Sequence, residues 1–371
     1  MSAWPQVELQ EFSSFQQGGR LKLSGKHFVD NGFPAYGAGG MNGRLPTAEF
    51  DRDAIVLSAI GARCGKCFLA EGEWTSLANT QVILPDPSKA DIRFLWYQLN
   101  DEKRWPRRGA GQPFIRPADV KSHKVTFPPL KEQRRIAAVL DGADALRRRR
   151  REALALLDTL PAALFAEMFG DPVSNPKRWP KGRIGDALED VRYGTSKKAG
   201  VDGELPILRM GNVTSGGQID LTDMKRITLD PKDVPKHTVR RGDILFNRTN
   251  SADLVGKTAV FDRDEPHAFA GYLVRARTKP RHVPEYVAGY LNSAHGKAKL
   301  RNMAKNIVGM ANINAKEMQA IPILLPDEAT QRGYKRRVEA IRTKRQAHEA
   351  HLAQLDTLFA SLQSRAFAGE L

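Results

Sequence analysis

The sequence contains an internal repeat with a period of 198 residues. Residues 111–170 align with residues 309–368 at this constant offset and without a gap. Identical residues at matching positions are Leu157-Asp158-Thr159-Leu160 with Leu355-Asp356-Thr357-Leu358, Gln133-Arg134 with Gln331-Arg332, Ile115 with Ile313, Pro128 with Pro326, and Phe169 with Phe367. A period of this length indicates a whole structural unit used twice rather than a solenoid turn. The chain is therefore predicted to consist of two similar halves that bind a partner with two similar faces.

The charge of the chain favours a polyanionic partner. Its 371 residues, enough for two or three domains, carry 58 Lys and Arg against 42 Asp and Glu, a net charge of +16. Residues 126–170 and 326–371 each contribute +2, which leaves +12 on the remaining residues. A basic excess concentrated in globular regions is typical of nucleic-acid-binding proteins, the alternative being a merely basic soluble protein.

The sequence offers no membrane or secretion signal. No apolar run approaches the roughly 20 residues that a membrane-spanning helix needs. The residues Met1-Ser2-Ala3-Trp4-Pro5 lack the basic-then-apolar pattern of a secretory leader. We therefore expect a cytoplasmic location and no membrane partner.

Each half ends in a predicted long helix. The first follows the extended segment Phe127-Pro128-Pro129-Leu130 and stops near Gly170 and Pro172. Apolar residues recur at steps of three and four, as in a coiled coil, at Ile136, Val139, Ala143, Leu146, Ala153, Leu157, Leu160 and Leu164. Pro161 predicts a kink or break in the last two turns. The second helix follows Pro326, and its apolar positions are Val338, Ile341, Leu352, Leu355, Phe359 and Leu362, with Arg345 and His348 also at inward positions.

Amphipathic helices of this length cannot stand alone in water. The two helices are expected either to pair with each other, antiparallel if the halves are related by a pseudo-twofold axis, or to pack separately on their own bodies. The five consecutive arginines Arg147–Arg151 are either a solvated face or a contact with DNA phosphate or an acidic partner.

The remaining residues form two bodies, 4–125 and 176–325, with short β-rich runs punctuated by Gly and Asn. The bodies resemble each other at a drifting offset: Ile55-Val56-Leu57 matches Ile244-Leu245-Phe246, and Gly65-Lys66 matches Gly256-Lys257. We predict an α+β protein with two mixed α/β modules, each built on a mainly antiparallel sheet. The predicted segments are residues 1–125, 126–172, 173–325 and 326–371.

Two motifs are not expected to carry chemistry. Cys64-Gly65-Lys66-Cys67 lies between strand-like runs and has no second cysteine pair, so it predicts a structural turn rather than a redox or zinc site. The segment from Ser251 to Thr258 resembles a phosphate-binding loop, but it lacks the first glycine and the strand-then-helix context. The sequence also lacks the glycine-rich cofactor turn and the target-amine loop of a DNA methyltransferase, and the histidines show no metal-ligand spacing. We therefore expect no catalytic and no metal-binding residue.

Several segments together resemble one family. Pro-Pro-Leu-x-Glu-Gln-x-Arg-Ile at 128–136, followed by a helix ending in Glu167-Met168-Phe169-Gly170, is similar to the central conserved region of type I restriction-modification specificity subunits. The run from Gly242 to Thr249, followed by Val255-Gly256-Lys257-Thr258-Ala259, resembles the core of their target-recognition domains, and Gly111-Gln112-Pro113-x-Ile115 also fits. The second helix departs from the pattern with Pro326-Asp327-Glu328-Ala329-Thr330-Gln331, so its docking surface need not equal the first.

This resemblance implies a fold and a function. The segments become target-recognition domain 1 (1–125), a central conserved helix (126–172), target-recognition domain 2 (173–325) and a C-terminal conserved helix (326–371), with the helices forming an antiparallel coiled coil. Such a subunit is non-catalytic: it reads a bipartite double-stranded DNA target and docks two modification subunits and the restriction subunits. S-adenosylmethionine, ATP and Mg²⁺ are then expected on the partners, and no cofactor on this chain. The predicted spacer residues are Ile136, Val139, Ala143, Leu146, Leu157, Leu160, Leu164, Val338, Ile341, Leu352, Leu355 and Leu362.

A helical spacer of this length suits a DNA ruler. The seam from Ile136 to Leu164 covers about 42 Å at 1.5 Å per residue, and one turn of B-DNA is about 34–36 Å. Two reading heads could therefore sit about one turn apart on one face of a duplex.

The DNA-binding candidates are Lys, Arg, Asn and Gln residues in Gly-, Pro- or polar-rich loops, because Arg reads guanine, Asn and Gln read adenine, and Lys and Arg hold phosphates. They are Arg44, Arg63, Lys66, Asn79, Arg107, Arg108 and Gln112 in the first body, and Arg209, Asn212, Asn247, Arg248, Asn250, Lys257, Lys305, Asn306 and Asn312 in the second. The competing hypothesis is a stand-alone basic enzyme that acts on a small anionic substrate.

Overall fold

The computed structural model describes residues 4–307 and 310–371, with the backbone alone at 305–307. The chain divides into two compact units. The first unit comprises Met1–Arg151 and His351–Leu371, and the second comprises Glu152–Ala350. These units differ from the four predicted segments, because each unit combines one body with part of both long helices.

The first unit is built on two four-stranded sheets. Its strands are β1 Gln6–Glu8, β2 Ser13–Gln17, β3 Phe33–Gly37, β4 Gly40–Leu45, β5 Phe50–Asp51, β6 Ala54–Ser58, β7 Cys67–Ala70, β8 Glu73–Ser76, β9 Thr80–Pro85 and β10 Lys124–Thr126. One sheet has the order β2-β9-β6-β7 and the other β4-β3-β8-β5, while β1 pairs with β10. All pairs are antiparallel except β3 with β8.

Helices cover the first sheet of this unit. They are α1 Ile92–Leu99, α2 Pro117–Lys121 and the start of α3 Leu130–Phe169. The Asp91 carboxylate caps α1 by accepting a hydrogen bond from the Phe94 N–H. The apolar faces of α1 and α3 share one core with β6, which is buried along its whole length. The end of the second long helix reaches the same core through Phe367.

The second unit has the same two sheets. Its strands are β11 Lys181–Arg183, β12 Leu188–Tyr193, β13 Leu205–Leu208, β14 Lys225–Ile227, β15 Thr238–Val239, β16 Ile244–Asn247, β17 Thr249–Asn250, β18 Thr258–Val260, β19 His267–Phe269, β20 Leu273–Thr278, β21 Lys305–Ile307, β22 Met310–Asn312 and β23 Pro322–Leu324. Its helices are α4 Val234–His237, α5 Pro284–Asn292, α6 Ala294–Met303, α7 Ala315–Gln319 and α8 Glu328–Ala368. The sheet orders are β12-β20-β16-β18 and β14-β13-β19-β15, β11 pairs with β23, and β17-β22-β21 forms a further small sheet.

Strand order therefore matches element by element between the units. In each, the second sheet contains one parallel pair, β3 with β8 and β13 with β19, in otherwise antiparallel surroundings. The prediction of mixed, mainly antiparallel modules is confirmed. The further sheet β17-β22-β21 accounts for part of the greater length of the second body.

The long helices differ from the sequence prediction at Pro161. Of the predicted kink or break, the break is excluded because the helix α3 continues through this proline to Phe169. The last two turns remain helical because Phe165 and Phe169 are buried in the second unit, beside Tyr286 and Tyr334. Burying two such rings contributes more than the roughly 3 kcal/mol that an internal proline costs.

The predicted apolar seam is correct only in part. Ile136 and Ala143 are buried, and the other spacer positions Leu157, Leu164, Val338, Ile341, Leu352, Leu355 and Leu362 are half-buried. Val139, Leu146 and Leu160 are exposed, and Leu140, which the pattern omitted, is fully buried. The start of α3 faces its own body as well as the second helix. Ile136, Ala137 and Leu140 are the residues of α3 that pack into the core of that body. A seam calculated for helix–helix contact alone therefore assigns the wrong residues there.

Within each unit the two long helices contact each other. In the first unit, Arg147 binds Asp356 and the Arg135 guanidinium donates to the Leu371 carbonyl. In the second unit, Arg345 binds Asp158.

Among the residues described, no helix is long and apolar enough to cross a membrane.

Candidate nucleic-acid interface

A groove of about 1150 Å³ opens on the second unit, and it gathers most of the candidates predicted there. Six of the nine predicted residues of the second body line it, namely Arg209, Asn212, Arg248, Asn250, Lys257 and Asn312. They come from separate stretches of the sequence, and strands β16, β17, β18 and β22 bring them together. A convergence of this kind is what a nucleic-acid reader built from loops requires.

A left-handed turn presents Lys257 to the groove. Gly256 has a φ of +83°, a conformation that favours glycine, and its N–H donates to the Asn247 carbonyl at 2.8 Å. The first unit has the same turn: Gly65 has a φ of +97° and donates to the Ser58 carbonyl at 2.8 Å. This matches the sequence pairing of Gly65-Lys66 with Gly256-Lys257.

The cations of the groove retain free hydrogen-bonding capacity. The Lys257 ammonium donates to the Met210 carbonyl at 3.1 Å, and burial lowers the pKa of this lysine. The Arg248 guanidinium lies 5.1 Å from the ring centroid of Tyr193, and its buried Nε has no acceptor among the described residues. Arg209 bonds Asp223 at 2.7 Å, and its Nε is likewise without an acceptor there. Both Nε atoms are buried, so they are donors, unsatisfied within the described part of the chain, that a ligand in the groove does not reach directly.

Charge and apolar surface alternate around the groove. Six lining residues are basic and two are acidic: Lys197, Lys198, Arg209, Lys225, Arg248 and Lys257 against Asp220 and Asp223. Four large apolar side chains of the lining are exposed, namely Met210, Leu254, Tyr272 and Met310. Basic groups hold phosphates, while exposed aromatic and apolar groups contact bases or thymine methyls. The combination fits a polynucleotide better than a small anion.

Two of the predicted DNA-binding residues, Asn212 and Asn247, have buried side chains. Asn247 donates to the Met210 carbonyl, and Asn212 accepts from the Arg209 N–H and donates to the Asp220 carbonyl. Their amides hold the walls of the groove rather than face a ligand. The side chains of Lys305 and Asn306 lie outside the described residues, and only their backbone, in β21, is described.

The seven candidates of the first body are largely engaged within the protein. Arg44 donates to the Gly32 carbonyl at 2.7 Å and Arg63 to the Gly39 carbonyl at 3.0 Å. Ion pairs hold Arg107 and Arg108 to Glu102 and Asp119. Lys66 is half-buried, Gln112 is exposed, and Asn79 occupies a left-handed turn with a φ of +66°. These residues remain a prediction without a common groove to support them.

Sequence reasoning missed three basic residues and one aromatic residue of the groove. Lys197, Lys198 and Lys225 line it, as does the half-exposed Tyr272. The doublet Lys197-Lys198 directly follows Gly194-Thr195-Ser196 in the sequence. This basic doublet, in a loop that contains Gly and Ser and follows a strand, could have indicated a phosphate contact from the sequence. Nothing in the sequence around Lys225 or Tyr272 distinguishes them from ordinary surface residues.

The two remaining motifs have structural roles. Cys64 and Cys67 are free thiols buried in the core, where their Sγ atoms contact the Ala59 and Leu99 carbonyls at 3.4 Å. Burial raises the pKa of Cys67, which opposes thiolate chemistry. The segment Ser251–Thr258 connects β17 to β18 instead of leading into a helix, so it is not a phosphate-binding loop. Within the described residues, no three His, Cys, Asp or Glu side chains are grouped as metal ligands.

Parts of this chain are similar to known proteins of one class. Residues 1–155 match the family described as "Type I restriction modification DNA specificity domain". The EcoKI specificity subunit of Escherichia coli (strain K12) is 27% identical over 284 residues, which cover 71% of this chain and 61% of that protein. The StySPI specificity subunit of Salmonella potsdam is 27% identical over 283 residues, with the same two coverages. The match thus spans about three fifths of the length of these relatives.

Solved structures agree on the fold. The S subunit of a type I restriction-modification system from M. genitalium superimposes with a TM-score of 0.62 at 16% identity, covering 99% of this chain and 96% of that chain. A chain from a study of complex assembly and conformational transition in the type I system gives 0.57 at 18% identity, covering 99% and 98%. This chain is therefore similar in fold to these type I subunits, and its residues 1–155 match the type I DNA specificity domain.

Proposed function

We propose that this protein is the non-catalytic subunit that gives a type I restriction-modification complex its DNA sequence specificity. The observation that carries the proposal is the groove of the second unit, where six basic side chains surround exposed aromatic and apolar groups. The net charge of +16 adds a long-range attraction for a polyanion. The alternative, an enzyme acting on a small anion, finds no support in the residues described.

The target is proposed to be bipartite because the two units repeat the same parts. The sheet orders agree, and so do the turns at Gly65 and Gly256. The helices α3 and α8, of 40 and 41 residues, are proposed to form one antiparallel coiled coil that separates the two reading heads. The two bodies differ in length and in their loop residues, so the two half-sites should differ in sequence.

The partners are proposed from the family. Two modification subunits, which use S-adenosylmethionine, would dock on the repeated helical regions, and restriction subunits with ATP and Mg²⁺ would complete the complex. A cytoplasmic location follows from this role. The chain itself would supply only binding and orientation.

Methyl transfer tests this function directly. The purified chain with DNA and S-adenosylmethionine should transfer no methyl group, whereas addition of the cognate modification subunit should produce methylation at one bipartite sequence. Methylation by the chain alone, or methylation by the mixture without sequence preference, would contradict the proposal.

Removing two groove cations should weaken DNA binding. We expect Arg248→Gln with Lys257→Gln to lower affinity for target DNA by on the order of tenfold or more at low salt, and to reduce the slope of log affinity against log salt by about 2. Binding isotherms over a salt series measure both quantities. The control, Lys232→Gln with Arg281→Gln, removes the same charge from exposed positions that do not line the groove. Equal effects of the two double variants would show that the groove is not the interface.

A further inference from the structure

Each unit contains one of two equivalent ion pairs between the long helices. In the first unit, the Arg147 Nε donates to Asp356 Oδ1 at 2.6 Å. In the second unit, the Arg345 Nε donates to Asp158 Oδ1 at 2.8 Å. Each pair connects α3 to α8, and the same guanidinium nitrogen binds the same carboxylate oxygen.

These pairs are copies of each other. Arg345 lies 198 residues after Arg147, and Asp356 lies 198 residues after Asp158, which is the offset of the repeat. Each arginine therefore binds the aspartate contributed by the other half. In an antiparallel pair of helices, the residue numbers of facing partners have a constant sum. This sum is the same for both pairs, so both fit one antiparallel register.

Both arginine side chains are largely shielded from solvent. The Arg147 and Arg345 side chains are 19% and 24% exposed. The Arg147 guanidinium also lies 4.3 Å from the ring centroid of Phe359. A partly desolvated charge loses much of its hydration, and an unpaired one is unfavourable. Within their own helices, Asp144 contacts Arg147 and Glu349 contacts Arg345. Arg151 shares Asp356.

A shift of one helical turn would replace the aspartates with apolar residues. Positions four residues from Asp356 are Leu352 and Ala360, and those four residues from Asp158 are Leu154 and Ala162. Asp356 is the sole acidic residue between positions 350 and 369. A slip of one turn thus places no carboxylate of the other helix opposite Arg147 or Arg345, whereas Arg151, one turn after Arg147, contacts Asp356 at 3.1 Å in the observed register.

The apolar residues of the helices define the register less sharply. Three of the predicted seam residues, Val139, Leu146 and Leu160, are exposed. Leucines can interdigitate in several registers with similar free energies, whereas a polar group at an inward position of a coiled coil selects one.

We propose that the Arg147–Asp356 and Arg345–Asp158 pairs fix the register of the two long helices and thereby the number of base pairs between the two half-sites. These four are positioning residues that act through the helices. The step from helix register to DNA gap rests on the proposed function, whereas the register itself does not.

Spin-label distances test the register without DNA. Labels on cysteines introduced at the exposed positions Ala138 and Ala360 of the first unit report the alignment of the helices, while the native thiols are buried. Asp158→Arg with Asp356→Arg should shift or broaden the distance distribution on the scale of one helical turn, about 5.4 Å. The neutral variant Asp158→Asn with Asp356→Asn should broaden it as well, and it remains informative if the charge reversal prevents folding.

Two controls isolate the ion pairs. Asp158→Glu with Asp356→Glu keeps both carboxylates and should retain the narrow wild-type distribution. Glu152→Arg with Glu339→Arg makes the same change in charge, one residue on each helix, at exposed positions outside the two pairs, and should also leave the distribution unchanged. A wild-type distribution in the neutral variant would overturn the proposal, as would equal broadening in the Glu152→Arg/Glu339→Arg control.

The DNA gap is measured separately. With the modification subunit, the Asp158→Asn/Asp356→Asn variant should methylate the wild-type half-sites with an altered or relaxed spacing between them. A shifted spin-label distance with an unchanged gap would overturn the link from register to DNA. Absence of methylation by the wild-type mixture would instead refute the proposed function, leaving the distance result to decide the register.

Discussion

Replacing Asp243 with alanine is expected to lower the free energy of unfolding by about 3–5 kcal/mol, because it breaks a buried charge network. Asp243 is 2% exposed and precedes β16. Its carboxylate accepts hydrogen bonds from the Arg277 Nε at 2.8 Å and from the Arg240 N–H at 3.0 Å. Arg275, which is 1% exposed, lies 4.0 Å away and also binds Asp190 at 2.6 Å. Alanine would leave Arg275 and Arg277 with the carboxylate of Asp190, which already binds Arg192 at 2.9 Å.

Urea unfolding of the full chain measures this loss. Asp264→Ala is the matched control, since Asp264 also pairs with an arginine, Arg241 at 2.7 Å, but both side chains are largely solvent-exposed. The control should unfold at the wild-type midpoint. Asp243→Asn keeps an acceptor without the charge and should fall between wild type and Asp243→Ala. Coincident transitions for Asp243→Ala and Asp264→Ala would refute the buried-network argument.

Burial and hydrogen bonding act in opposite directions on the charged groups around Asp243. Burial lowers the pKa of Arg275, and the hydrogen bond to Asp190 opposes that effect. For Asp190, burial acts to raise the pKa, but the hydrogen bonds from Arg275 and Arg192 outweigh it and hold the pKa below its usual value. The motif from Gly242 to Thr249, which carries the family resemblance, thus begins with a structural anchor. Arg248 and Thr249, at its end, line the groove.

Features set by local chemistry were predictable from the sequence. The turns at Gly65 and Gly256 follow from a glycine between short apolar runs, and both occur with left-handed glycines. The long helices follow from good helix formers after a proline-rich segment, with ends at Gly170 and Gly369, which have φ angles of +75° and +82°. The repeat offset correctly paired residues whose contacts later proved equivalent.

Features set by tertiary contacts were not predictable in the same way. Asn247 follows an apolar run and precedes an arginine, which suggests a loop residue, yet it completes β16 and is fully buried. Its environment depends on Met210, which lies 37 residues earlier in the chain. The apolar seam was assigned incorrectly for a related reason. Leu140 packs into the core of the first body, and the spacing of apolar residues along the helix carries no information about where that body lies. Lys225 likewise could not be assigned to the groove from the sequence, because it lines the groove only through the pairing of β14 with β13.

The repeated glutamines show how one residue type joins each body to its long helix. The Gln133 Oε1 accepts from the Asp91 N–H at 2.8 Å, and its Nε2 donates to the Pro128 carbonyl at 2.9 Å. The Gln331 Oε1 accepts from the Val283 N–H at 2.9 Å, and its Nε2 donates to the Pro326 carbonyl at 2.7 Å. Asp91 and Val283 are the N-cap residues of α1 and α5. Each fully buried side chain thus bridges the start of a body helix and the segment before a long helix.

Substituting leucine at either glutamine should therefore destabilise the protein by about 2–4 kcal/mol, since each change removes the side-chain partner of an N-cap N–H and of a buried proline carbonyl. Gln133→Leu also removes the hydrogen bond to the Lys89 carbonyl. Leucine has a similar volume, so loss of hydrogen bonds rather than a cavity dominates. Differential scanning calorimetry of Gln133→Leu and Gln331→Leu measures the effect. Arg134→Leu, on the exposed side of the same turn, is the control. Similar losses at both glutamines would show that the two halves use one joint, whereas a glutamine variant as stable as Arg134→Leu would show that its bridge contributes nothing.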